Sequence, residues 1–333
     1  MIGKIRDSIR TALFQPMKFY FLVKYKIINL KDYILDFIHH FKILREANIS
    51  LGKYHMTNGR FKDAALRFWL VDKIFAPKDD ENLYWYSWAN IMMKNYAAAI
   101  KIVNQDNSFD KIGVHNYISN MSSVSQIPED IILFYESFTD EYRYKIYFGD
   151  KINLFEKFTS ALIPFLPQKS WDEKNGDYSI LEIGSKPFWT EEITNFLPDN
   201  YLIDSINFDK TSDKNTKDYN DKIEIYRNIK LANRYDFSEQ KQKYDLIIAF
   251  DSLSHTTKLL DIFKNLKNLK TKEGILAMVL PKGNLTKLDP SMNHFLYTQN
   301  YITENLKLAE FEVSSITTIQ IDKTCEYFIV IAR

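Results

Sequence analysis

The chain has 333 residues, 45 % of them hydrophobic, with 44 Lys and Arg against 43 Asp and Glu. That is length for two ordinary domains and apolar content for a sizeable core, while a formal charge of +1 supplies no field for nucleic acid. Cys325 is the one cysteine, which excludes an intrachain disulfide framework, argues against a structural zinc site and makes a reducing cytoplasm the simplest compartment.

The early stretch TALFQPMKFYFLVKYKIINL (11–30) is broken by Pro16, Lys18, Lys24 and Lys26. A bilayer span needs an apolar run of about 20 residues, so no transmembrane segment is expected here. No small-residue cleavage site follows it, as a signal peptide would require. The basic, aromatic-rich segment over residues 1–45 reads most simply as a helical cap on the next domain. The alternative is an amphipathic segment lying on an anionic membrane surface.

Residues 1–166 read as helical throughout, with apolar residues at three- and four-residue spacing. The informative piece is LGKYHMTNGRFKDAALRFWLVDKIFAP (51–77). Gly52 and Ala64 are small enough for two helices to cross closely, Gly59 suits the turn between them, Phe61 and Phe68 fill the groove, and Pro77 stops the second helix. The pattern resembles a tetratricopeptide repeat, a helix–turn–helix unit of about 34 residues. A weaker copy, NLYWYSWANIMMKNYAAAIKIV (82–103), places Trp85, Ala89, Tyr96 and Ala99 in comparable roles, with Lys94-Asn95 where the glycine would be. The best repeat region is thus 48–103. Helices over 128–138 and 142–166 are expected to complete the stack, because two repeats are too few to stand alone.

The polar segment PQKSWDEKNGD (167–177) reads as a linker. From 178 to 333 apolar strands alternate with helices. Strands are expected to begin near 178, 200, 222, 244, 274, 311 and 326. Helices are expected over 191–197, 259–270 and 298–310. This predicts an α/β fold with a mostly parallel sheet covered on both faces. The last two strands are joined only by DKTC, so they form an antiparallel hairpin.

Several pieces in this order resemble the Rossmann-like class I S-adenosylmethionine-dependent methyltransferases. They are YDLIIAFDSLSHTTKLLDIFKNLKNLKTKEGILAMVLP (244–281), NHFLYTQNYITENLKLAEFEV (293–313) and ILEIGSKPFWTEE (180–192). The resemblance covers roughly 178–333 and implies S-adenosyl-L-methionine as cofactor. It implies a cofactor loop at Glu182, Gly184 and Ser185, in which Lys186 and Phe188 stand where the family has its second and third glycines. It also implies a ribose carboxylate at Asp204, with Asp209 as rival, and an adenine-side residue at Asn233 or Asp236. Phe250, Asp251 and Ser252 would line the pocket.

Methyl transfer from a sulfonium needs alignment more than acid–base help. His255 and His294 lead the candidates for a base, with Asp251 and Tyr297 secondary. His255 has an equal structural reading, as a cap or packing residue of the following helix. Two functions stand. One is an active methyltransferase of unknown acceptor, with the helical module selecting acceptor or partner, a protein being slightly favoured and nucleic acid disfavoured. The other is a non-catalytic scaffold whose cofactor site has lapsed.

Overall fold

The computed structural model describes residues 30–103, 107–111, 113–120, 123–135, 153–167, 176–185, 187–321 and 325–333, apart from the side chains of 30–38, 188 and 211. The expectations for residues 1–29, for 136–152, for most of the linker and for Lys186 lie outside this set.

The first half is helical: α1 (Leu30–Thr57), α2 (Phe61–Leu70) with a π turn at Val71–Phe75, α3 (Asp80–Met92), α4 (Tyr96–Ile102) and α5 (Val114–Asn120). Residues 129–135 are also helical. Two helix hairpins, α1/α2 and α3/α4, repeat with a common offset of 35, from 59 to 94 and from 64 to 99. In the first turn Gly59 sits at φ +68° and the Arg60 amide donates to the His55 carbonyl at 2.9 Å. In the second, Lys94 sits at φ +62° and the Asn95 amide donates to the Asn90 carbonyl at 2.8 Å. Ala64 and Ala99, and Phe68 and Val103, are buried at matching places. Gly52 has no room for a Cβ, which would come within 2.5 Å of the Phe68 ring.

The α/β half begins earlier than its first strand. Helix α6 (Leu154–Leu162) packs Phe155 and Phe158 on the sheet with Trp189, not on the helical stack. The sheet comprises β1 (Tyr178–Ile183), β2 (Tyr201–Asn207), β3 (Tyr226–Leu231), β4 (Tyr244–Phe250), β5 (Lys270–Pro281), β8 (Val313–Gln320) and β9 (Glu326–Ala332). Their order is β3-β2-β1-β4-β5-β9-β8. All pairs from β3 to β5 are parallel, and β9 runs antiparallel to both β5 and β8. Burial on both faces explains the near-continuous apolar strands. Helices α7 (Pro187–Thr194) and α8 (Lys210–Ile223) connect the early strands, and α9 (Leu259–Leu269) and α10 (Gln299–Leu308) the later ones.

Three elements correct the sequence reading. Helix α7 starts at Pro187, earlier than 191. Helix α8 was not expected, and it carries the chain past 222, so β3 starts at Tyr226. A two-stranded hairpin, β6 (Lys287–Asp289) and β7 (His294–Leu296), lies between β5 and α10.

That hairpin is where the helical half grips the sheet. Lys94 Nζ lies 3.0 Å from Asp289, the Tyr117 hydroxyl donates to Asn293 Oδ1 at 3.2 Å, and the Tyr135 hydroxyl donates to the Ser291 carbonyl at 2.8 Å. Lys94 thus takes up a left-handed turn position, and its side chain reaches Asp289. Burial pushes the Asp289 carboxyl up, but the Ser291 hydroxyl and the Lys94 ammonium outweigh it and hold it below the usual range. One continuous apolar cluster joins Phe68, Trp88, Tyr117 and Ile131 to Ile247, Met278, Leu288 and Phe295.

Candidate functional site

In open α/β sheets a ligand lies beyond the carboxyl ends of the strands where the strand order reverses. Here that is the gap between β1 and β4. Gly184 follows β1 at φ +73°, and a Cβ there would come within 2.8 Å of Ser252 Cβ, just after β4. The first loop glycine is therefore required by both backbone angle and space. Glu182 is buried within β1, and its carboxylate accepts the Tyr226 hydroxyl at 2.5 Å. Burial first, and then Glu182, push the Tyr226 phenol far up, so it stays a donor. The Ser185 amide donates to Asn207 Oδ1 at 3.1 Å, and its hydroxyl meets that of Ser205. These bonds turn the polar groups of the loop inwards.

Asp204 is not at the end of its strand. It pairs with Leu181 in mid-sheet, and β2 continues to Asn207. Its two carboxylate oxygens accept four bonds: Arg227 Nε at 2.9 Å and Nη2 at 2.6 Å, Asn228 Nδ2 at 2.9 Å and the Tyr244 hydroxyl at 2.9 Å. A carboxylate offers about four lone-pair sites, so none is left for a ribose diol. Burial raises its pKa, but the bonds from Arg227, Asn228 and Tyr244 outweigh that and hold it below the ordinary value. The residue at the strand end is Asn207, fully buried, its Oδ1 taken by Ser185 and its Nδ2 donating to the Thr216 hydroxyl at 3.2 Å. The rival, Asp209, caps α8 by accepting the Ser212 amide at 2.7 Å.

After β3, Asn233 is exposed in a turn, and Asp236 closes that turn by accepting the Ser238 amide at 3.0 Å and hydroxyl at 2.7 Å. Between them stands Arg234. Its guanidinium lies 5.3 Å from the Phe208 ring and forms a two-bond pair with Glu129, at 2.7 and 2.9 Å, from the helical half. Tyr235 follows at φ +65°, and its hydroxyl donates to the Ser252 carbonyl at 3.2 Å.

After β4 the residues separate by role. Phe250 stacks on Phe155 with ring centres 4.0 Å apart and meets Phe158 and Trp189, so it fills the core behind the sheet and does not line a pocket. Asp251 takes a left-handed φ of +52° and its Oδ1 lies 3.7 Å from His294 Nδ1, so the structure brings together two candidates 43 positions apart in sequence (251 and 294). His255 Nδ1 lies 3.2 Å from Arg234 Nη1. A guanidinium can only donate, so Nδ1 is the acceptor and the ring's proton sits on Nε2. In that bond the imidazole lone pair is engaged by Arg234. The buried Tyr297 hydroxyl donates within reach of the carbonyls of Leu253, at 3.0 Å, and Thr256, at 2.6 Å; it ties down the loop after β4.

No protein-family model matches the chain, and no curated protein matches it. Among solved structures it is similar to an S-adenosylmethionine-dependent methyltransferase from Clostridium acetobutylicum, at 11 % identity over 58 % of this chain and 97 % of that one, with a TM-score of 0.42. It is also similar to the geranyl diphosphate C-methyltransferase of Streptomyces coelicolor, at 11 % identity over 58 % of this chain and 83 % of that one, with a TM-score of 0.45. The sheet has the class I methyltransferase topology. That statement rests on strand order and direction.

Sequence reasoning missed Asn207, Tyr226, Arg227 and Arg234. None of these left a usable sequence signal: Arg227 lies on the exposed edge strand β3, where a charged side chain is ordinary. Among the described residues no group of three or more His, Cys, Asp or Glu is placed to hold a metal ion, and no helix is long and apolar enough to cross a membrane.

Proposed function

We propose that this chain is a non-catalytic scaffold: a methyltransferase-type sheet whose cofactor crevice is filled by its own side chains, joined to a tetratricopeptide-like module for contact with another protein. The single observation that carries this is the end of β2. Asn207 stands there, buried, with both amide atoms bonded, and Asp204 is committed to Arg227, Asn228 and Tyr244. Neither offers the accepting pair that a ribose diol requires. The residues described do not fit an adenosyl cofactor. Arg234 and Phe208 occupy one another on the adenine side.

A second reading, an S-adenosylmethionine-dependent methyltransferase with weakened cofactor affinity, draws on two observations. Gly184 keeps the conformation that a cofactor loop needs. Ser252 Oγ is buried without a hydrogen-bond partner among the described residues, which marks a place for a water or ligand atom. Isothermal titration of the full chain with S-adenosylhomocysteine separates the two. The scaffold predicts no heat of binding at millimolar ligand. Binding in the micromolar range would establish the second reading.

A further inference from the structure

We propose that residues 125–129 form a strap which the helical half lays across the carboxyl ends of β3 and β4, and that the Glu129–Arg234 ion pair keeps it shut. This deepens, and rests on, the reading of the crevice as closed by the chain's own residues. The strap runs antiparallel to the loop after β4, with Gln126 bridging Thr256. The Ile127 amide donates to the His255 carbonyl at 2.9 Å, and the Thr257 amide donates to the Ser125 carbonyl at 2.8 Å. The Thr256 and Thr257 hydroxyls also donate to that carbonyl, at 3.1 and 3.2 Å. Two residues on, Glu129 grips Arg234.

The two ends of the ion pair differ. The Arg234 side chain is 8 % exposed and Glu129 is 41 % exposed. The arginine is anchored on the sheet side by the Phe208 ring and His255 Nδ1, while the glutamate stands at the rim in reach of water. Releasing Glu129 therefore hydrates a carboxylate that is already half in solvent and leaves the guanidinium stacked and bonded. The charge left without its partner is the buried Arg234, and the cost of stripping it is what lets the pair keep the strap shut. What else holds the strap is Ile127, buried in the shared apolar cluster, and one short bridge of backbone and threonine hydroxyl bonds, each of modest net strength. Opening the strap therefore frees Ile127 while the rest of the apolar contact between the halves stays closed.

Opening would uncover the loop 251–257, including Ser252, and the Phe208–Arg234 shelf. The device is a closure over the strand ends, controlled by one charge at its edge. Hydrogen exchange followed by mass spectrometry on the full chain tests it. Glu129→Gln should speed exchange in peptides covering 125–127 and 255–257 by about tenfold, with β1 and α3 unchanged. Arg234→Met should do the same. Unchanged exchange in both variants would overturn the proposal. Should either variant fold poorly, the native chain serves. Raising salt should speed exchange in those two peptides alone, because the pair is partly exposed, and a flat response there would overturn it. Titrating Glu129→Gln with S-adenosylhomocysteine keeps this inference apart from the scaffold reading. Binding by the variant and not by the native chain would establish the strap as a gate and overturn the lapsed site. Binding by the native chain would overturn the scaffold and leave the strap to the exchange result.

Discussion

Asp204→Asn keeps the size of the side chain and removes the charge that Arg227 answers. The carboxylate is buried, whereas Arg227 is partly hydrated at the sheet edge. The cost should therefore fall below the 3–5 kcal/mol of a fully buried pair, at about 2–3 kcal/mol by urea unfolding. Its folded pKa is depressed, so its contribution is complete above the unfolded value of 3.8 and is lost as pH falls through the lower folded value. The variant should accordingly show a flatter loss of stability below about pH 4. A wild-type acid limb in Asp204→Asn would show that these bonds do not carry the linkage. Gly184→Ala forces a left-handed alanine against Ser252, and should cost about 1–3 kcal/mol. Equal stability would mean that the two loops have room to part.

The helix hairpins can be tested at Ala64, which is fully buried where α1 and α2 meet. Ala64→Leu should cost about 1–3 kcal/mol through overpacking, and an unchanged melting temperature would deny the close contact. At this scale the legible elements were those that bury a face. β1 is buried along its whole length and α9 carries a row of buried leucines and Phe263, so both stand out as apolar patterns. α8 was illegible for the opposite reason. KTSDKNTKDYNDKI has almost no apolar face, and the helix depends on local devices: the Asp209 cap, the Asp213–Lys217 pair and a left-handed Glu224 at its end. The hairpin β6–β7 was too short to leave a pattern. Missing α8 misplaced β3, and the resemblance pointed to Asp204 for the ribose although it lies in the middle of β2. Gly184 leaves a direct sequence mark, because its left-handed backbone angle and its contact with Ser252 both call for glycine at that turn.

Across the whole molecule, the shared apolar cluster and the grip on β6–β7 tie the helices to the sheet. Calorimetry should show one cooperative transition for the two halves, and two separated transitions would show that the contact is weak. Tyrosine hydroxyls carry part of that grip and part of the sheet half's own closure. Tyr117 is bound to Asn293 across the halves, and Tyr235 and Tyr297 hold the loop after β4. Burial raises the phenol pKa of all three above the free value of 10.0. In the unfolded chain such phenols ionise from about pH 10 upward, while in the fold they keep their protons, so stability falls as pH rises past that point. The near-ultraviolet phenolate band of these residues should therefore emerge late and abruptly in alkali, in step with loss of helix signal, whereas exposed tyrosines titrate smoothly beforehand. The chain would report its own disassembly through its own ultraviolet absorbance, without any added dye.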